Sequence, residues 1–141
     1  MKYFYLFVLV FPILFFSSCA DNIVSECDEE NPPAQLRSKL SSIQQVVFSD
    51  NCAKSGCHAG VNPQEGLNLS SVQLSYDNLV NVQSNQNPQF KRVLPDSSAK
   101  SWLIKKLNGD GTSLMPADGT MLSQAIIDSI AAWIDNGAEN N

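Results

Sequence analysis

The segment Cys52-Ala53-Lys54-Ser55-Gly56-Cys57-His58 brings together two cysteines and the only histidine of this 141-residue chain. Four residues separate the two thiols, and the imidazole directly follows the second thiol. Residues this close in sequence stay close in space, so they form one candidate site for a ligand or a metal.

Apolar residues repeat at helical spacing both before and after the segment. A first helix is predicted from Gln35 to just before Asn51, and a second, short helix within residues 71–82. Two more helices are predicted, one ended by Asn108-Gly109 and one ended by Asn136-Gly137. The apolar positions that carry these four helices are Leu36, Leu40, Ile43 and Val47; Val72, Tyr76, Leu79 and Val80; Trp102, Leu103 and Leu107; and Ile126, Ile130, Trp133 and Ile134. No alternating pattern long enough for a sheet occurs, so the predicted fold class is all-α, a small helical bundle.

The N-terminal residues are typical of an export signal. Lys2 precedes an apolar run that ends in Ser17-Ser18-Cys19. This pattern predicts a signal peptide over residues 1–18, with Cys19 as the lipid-acylated first residue of a bacterial lipoprotein. The apolar run is short for a transmembrane span. We therefore expect an exported protein of the cell envelope, periplasm-facing or outer-surface, held to a membrane by its lipid.

The next residues are acidic and contain two consecutive prolines. This composition predicts a solvated tether over residues 19–34, followed by a single domain over residues 35–141. The formal net charge of the chain is −5, from 9 Lys plus Arg against 14 Asp plus Glu, so nucleic acid is excluded as an expected partner. The tether carboxylates are Asp21, Glu26, Asp28, Glu29 and Glu30.

Covalently attached haem accounts for the order of the three residues in the segment. Haem c uses two thiols, here Cys52 and Cys57, for thioether bonds, and an adjacent imidazole, here His58, as proximal iron ligand. The usual spacing has two residues between the thiols, and this chain has four. A thioether is a suitable distal ligand, and Met115 is the first candidate because Pro116 stiffens its loop. Met121 is the second candidate.

Two other chemistries remain open for the same cysteines. In an oxidising compartment Cys52 and Cys57 could form a disulfide, which would make the protein a haem-free surface binding module. Zinc could be held by Cys27, Cys52, Cys57 and His58 if Cys27 folded back from the tether. Cys27 has no obvious partner in the sequence.

Several short segments, taken in order, resemble a bacterial cytochrome c domain of the exported, often lipid-anchored type. The likeness covers residues 36–138. The segments are Cys-x4-Cys-His-Ala-Gly from Cys52, Gly66-Leu67-Asn68-Leu69, Arg92-Val93-Leu94-Pro95, Ser101 to Leu107, Leu114-Met115-Pro116, and Ile130 to Ala138.

The resemblance implies a cytochrome c-like bundle around one haem, with its first and last helices packed together across the haem edge. It implies thioethers at Cys52 and Cys57 and iron bound by His58 and Met115. We expect a dry pocket lined by Leu67, Leu69, Val93, Leu103, Leu107 and Leu114, with Trp102 and Trp133 as walls of the pocket or of the helix contact.

The function expected from these features is electron transfer without a substrate of the protein's own. A His/Met pair leaves no coordination position open, so a small haem peroxidase would require Met115 to leave the iron. The positive charge is concentrated in residues 91–106 and could face an acidic redox partner protein or simply be solvated. The residues concerned are Lys91, Arg92, Lys100, Lys105 and Lys106.

Overall fold

The computed structural model of the protein describes residues 36–141. The predicted signal peptide (residues 1–18), the lipidation site Cys19, the tether (residues 19–34) and Cys27 lie outside the described residues. Within residues 36–141 the chain forms α-helices joined by loops and short 3₁₀ turns, with isolated β-bridges and no strand. The all-α prediction is confirmed for this part of the chain.

The first helix has an unusual hydrogen-bond pattern. It starts as α1 (Leu40–Ile43) and continues as a π-helix (Gln44–Cys52), so it begins later than the predicted Gln35 and runs into the first cysteine. Its last turn is closed by Ala53 N–H donating to the Phe48 carbonyl at 2.7 Å. Bonding from i to i+5 places residues four and five apart on one face. Cys52 therefore shares the apolar face of Val47 and Phe48.

Three further α-helices follow at the predicted positions. These are α2 (Val72–Leu79), α3 (Trp102–Asn108) and α4 (Gln124–Asp135). Ser71 caps the N-terminus of helix α2, and its hydroxyl accepts a hydrogen bond from Leu74 N–H. Helix α3 ends at Gly109, which has a φ of +67°, a left-handed conformation that glycine adopts without strain.

One apolar core joins all four helices. It includes the predicted face of the first helix, of which Leu40, Ile43 and Val47 are fully buried. Ile130, Trp133 and Ile134 of α4 are buried as expected, whereas Ile127 is buried in place of the half-buried Ile126. Burial of such side chains supplies most of the folding free energy of a small domain.

The segment after α4 is tied back to the first helix. The amide groups of Leu40 and Ser41 donate to the side-chain and backbone oxygens of Asn141, at 2.9 and 2.8 Å. Since no side chain next to the helix caps it, these oxygens satisfy two of its free N–H groups. The Trp133 indole also donates to the Glu139 carbonyl at 2.9 Å. No helix among residues 36–141 has the length and apolar character that crossing a membrane requires.

Candidate haem site

A single cavity collects the residues that the sequence singled out for covalent and axial bonding. Its volume is about 350 Å³, within the size range of cofactor sites, and its walls are mainly apolar. Cys52, Cys57 and His58 line it from the end of the first helix and the following loop, and Met115 lines it from the loop between α3 and α4. Met121 is absent from the lining and is 75 % exposed.

The backbone of the cysteine segment is held by its own hydrogen bonds. The Cys57 amide donates to the Lys54 carbonyl at 3.0 Å, and the His58 amide donates to the Cys52 carbonyl at 3.2 Å. Gly56, with a φ of +81°, provides the turn immediately before Cys57. The four-residue spacer thus forms a closed turn that presents both thiols and the imidazole to the same cavity.

The imidazole of His58 has an unpaired buried nitrogen. Its Nδ1 is buried without a hydrogen-bond partner among the described residues. Burial lowers the pKa of His58, which favours the neutral imidazole whose lone pair can bind a metal. The carbonyls of Leu67 and Gln64 are near enough to oppose this shift, but neither meets hydrogen-bond geometry with Nδ1. They are the candidate acceptors for the N–H of a metal-bound imidazole.

The two thiols differ in their surroundings. Both are free thiols in the structure; Cys57 is exposed, and Cys52 is half-buried. Burial raises the pKa of the Cys52 thiol from 9.0 to about 11, so Cys52 stays protonated at neutral pH. Among residues 36–141 no group of three His, Cys, Asp or Glu side chains is arranged to hold a metal ion, and the zinc hypothesis depends on Cys27, outside this range.

The predicted pocket residues are placed partly as expected. Leu67, Leu69, Leu103 and Leu107 line the cavity. Leu114 does not; it packs beside Gly109, where an added Cβ would lie 3.5 Å from Leu114 Cδ1. Val93 is also absent from the lining and is fully buried in the core. Sequence spacing alone does not indicate this contact of Leu114 with the end of α3.

The two tryptophans have different roles in the fold. Trp102 lines the cavity, and its ring pairs with Phe90 at a centroid distance of 5.5 Å. Its indole nitrogen lies 3.4 Å from Gln86 Oε1, at the long end of the hydrogen-bond range. Trp133 is a core residue, 1 % exposed.

Two of the five positive residues in the 91–106 segment are buried, contrary to the view of them as one surface group. Arg92 and Lys106 are each 7 % exposed, and both line the cavity. Arg92 donates to the Asn78 and Glu65 carbonyls at 2.9 and 2.6 Å. Glu65 takes a left-handed conformation with a φ of +56°, and its carbonyl also accepts from Asn85. Burial lowers the pKa of both cations.

Neither cation has a carboxylate within ion-pair distance among the described residues, although the Glu65 carboxylate acts on both from farther away. The ion pairs found there are Lys54–Asp118 and Lys105–Asp110, neither of which involves Arg92 or Lys106. The cavity lining carries three cations, Lys54, Arg92 and Lys106, against two carboxylates, Glu65 and Asp118. A buried cation without a close counter-ion is costly, so Arg92 and Lys106 are suited to face a ligand that carries negative charge. The burial of these two cations was not predicted from the sequence, although Lys106 follows Leu103 by three positions and so shares its helical face.

The residues present fit a haem c group. Cys52, Cys57, His58 and Met115 line one mainly apolar cavity, and Arg92 lines the same cavity as a potential partner for the haem carboxylates. The chain matches no protein-family model, and comparison with curated proteins and with solved structures finds no match.

Proposed function

We propose that this protein is an electron carrier with one covalently bound haem c, exported and anchored to a membrane by a lipid at Cys19. In this proposal Cys52 and Cys57 form the thioether bonds, His58 is the proximal iron ligand and Met115 is the distal ligand. The haem iron would supply the one-electron chemistry. The protein would bind, orient and desolvate the group.

The observation that supports the proposal is the convergence of distant residues. Met115 lies in a loop after α3, whereas the Cys52–His58 segment follows the first helix, yet both line one cavity. A disulfide between Cys52 and Cys57 would give no reason for a methionine and a neutral imidazole to line that cavity. Ligation by His58 and Met115 would leave no free position on the iron, which favours electron transfer over peroxide or dioxygen chemistry.

The chain's own residues would tune the site in three ways. Leu67, Leu69 and Leu103 exclude water from the cavity walls, which affects the reduction potential. The Leu67 and Gln64 carbonyls would fix the orientation of His58 once its Nδ1–H donates to one of them. Arg92 would offset the charge of a haem carboxylate, while its bonds to Asn78 and Glu65 keep the guanidinium in place.

Cysteine variants test the proposal. The protein is produced with a c-type maturation system, and haem staining on a denaturing gel is compared between wild type, Cys52→Ser, Cys57→Ser and the double variant. We expect a stained wild type, weaker staining of each single variant and none of the double variant. Cys27→Ser is the matched control and should stain like wild type. An unstained, folded wild type would overturn the proposal and favour the disulfide-stapled binding module.

A further inference from the structure

The side chain of Lys106 holds the loop that carries Met115. The residue belongs to α3 and is 7 % exposed. Its ammonium Nζ donates to Ser113 Oγ at 2.9 Å and lies 3.3 Å from Thr112 Oγ1. Both hydroxyls lie in the three residues before Met115, so the side chain of Lys106 fixes the part of the loop that leads directly to the candidate ligand.

The backbone of Lys106 makes a second contact with the same loop. Its carbonyl accepts a hydrogen bond from the Met115 amide at 2.9 Å. The loop leaves α3 at Gly109 and returns to α3 at this bond, while the ammonium secures the chain in between. One residue thus constrains the loop at the ligand itself and at two positions just before it.

The surroundings of the Lys106 ammonium indicate that it orients the loop through hydrogen bonds and does not form an ion pair. Its ammonium has no carboxylate within ion-pair distance among the described residues, and its hydrogen-bond partners are neutral hydroxyls. An apolar side chain of similar length would fill the same space without the cost of burying a charge. What the ammonium adds at this place is a set of oriented bonds to the loop.

We propose that Lys106 is a positioning residue for the distal ligand: its bonds to Thr112, Ser113 and Met115 hold the Met115 thioether toward the haem. This inference rests on the proposed function. Lys106 itself would not contact the iron. Its role is to keep the loop closed, so that an external ligand can replace Met115 only after these bonds break.

The test is the rate at which imidazole replaces Met115 in the haem-loaded ferric protein. Met115 ligation is monitored by the weak far-red absorption of a thioether-bound ferric haem. We expect Lys106→Met to accelerate the exchange about tenfold or more, because hydrogen bonds to a charged group are lost. Lys100→Met, which removes an exposed positive charge from the same part of the chain, should exchange like wild type.

A second variant tests the same hydrogen bonds by removing their acceptors. Thr112→Val combined with Ser113→Ala removes the acceptors and leaves Lys106 in place, so it should accelerate exchange by a similar factor. The three substitutions together should give much less than the product of the two effects, because they break the same bonds. If Lys106→Met does not load haem, this acceptor variant decides the matter alone.

The proposed role of Lys106 and the proposed function can be contradicted separately. Wild-type exchange rates in haem-loaded Lys106→Met, or in the acceptor variant, would overturn the role of Lys106 and leave the haem proposal standing. A wild-type protein without covalent haem would overturn the proposed function, and the role of Lys106 with it.

Discussion

Lys54 Nζ lies 3.3 Å from Asp118 Oδ2, so an ion pair links the turn between the two cysteines to the loop that follows Met115. Both residues line the cavity, and each side chain is about half exposed, at 49 % and 48 %. The pair therefore connects the two segments that supply the candidate iron ligands.

Because the Lys54–Asp118 pair is exposed, its effect should depend on salt. We expect Lys54→Met to lower the thermal midpoint slightly at low ionic strength and to have no measurable effect at about 1 M salt, where the screening length is about 3 Å. Thermal unfolding in both buffers is the measurement. Lys100→Met, which removes an exposed lysine that forms no ion pair among the described residues, is the control and should leave the midpoint unchanged in both buffers. An equal loss in both buffers would contradict an ionic link.

Met115 and Met121 should respond differently to substitution. We expect Met115→Leu to abolish the far-red thioether absorption and to lower the reduction potential by on the order of 0.1 V, part of the range that axial ligands set. Met121→Leu should change neither, because Met121 is 75 % exposed and does not line the cavity. Spectra and redox titration of the two variants provide the measurement. A change confined to Met121→Leu would reverse the assignment.

The two candidate thioether cysteines should differ in reactivity before haem is attached. With a pKa of about 11, only about a thousandth of Cys52 is thiolate at pH 8, so iodoacetamide should modify the exposed Cys57 first. Digestion with trypsin separates the two residues, and peptide masses give each rate. In denaturant the rates should become similar. Equal rates in the native protein would show that Cys52 is not protected.

The raised pKa of Cys52 should make the stability of the haem-free protein depend on pH. Because folding raises the pKa of Cys52, its neutral thiol contributes stability that is fully present below the unfolded value near 9.0 and is lost as pH rises through about 11. The haem-free chain should therefore lose this contribution in alkaline solution between these two values. Cys52→Ala should lack this component of the pH dependence.

A buried polar network behind the cavity should contribute to stability. Gln44 Nε2 donates to the Leu69 carbonyl at 2.8 Å, and its Oε1 accepts from the Ser75 hydroxyl at 2.6 Å. Gln44→Ala would leave both partners buried and unpaired, so we expect the free energy of unfolding to fall by about 1–3 kcal/mol. Urea unfolding measures the change. Gln45→Ala, at the exposed neighbouring position, should stay within about 0.5 kcal/mol of wild type. Equal effects of the two substitutions would rule out the network.

The helices could be predicted from the sequence because their apolar residues repeat at helical spacing. Leu40, Ile43 and Val47 are buried on one face, and Asn108-Gly109 ends α3 where glycine permits a left-handed residue. The π-helical bonding of residues 44–52 could not be predicted in this way. It brings Cys52 onto one face with Val47, five positions earlier, which α-helical spacing does not do.

The candidate site could be predicted only where local chemistry was distinctive. The proximity of two thiols and an imidazole follows from the sequence alone, and Leu-Met-Pro marked Met115. The burial of Arg92 and Lys106 and the placement of Leu114 beside Gly109 depend on how distant segments pack together. The sequence does not indicate that the Arg92 guanidinium donates to a backbone carbonyl inside the fold, or that the Lys106 ammonium donates to a hydroxyl.

The most direct test of covalent haem uses the lysine between the two cysteines. Trypsin cuts denatured protein after Lys54, which places Cys52 in the peptide 40–54 and Cys57 in the peptide 55–91. The haem proposal predicts that, after treatment with a thiol reductant, the two peptides remain joined with the added mass of one haem. Release of two separate, haem-free peptides on reduction would contradict the proposal and identify a disulfide or free thiols instead.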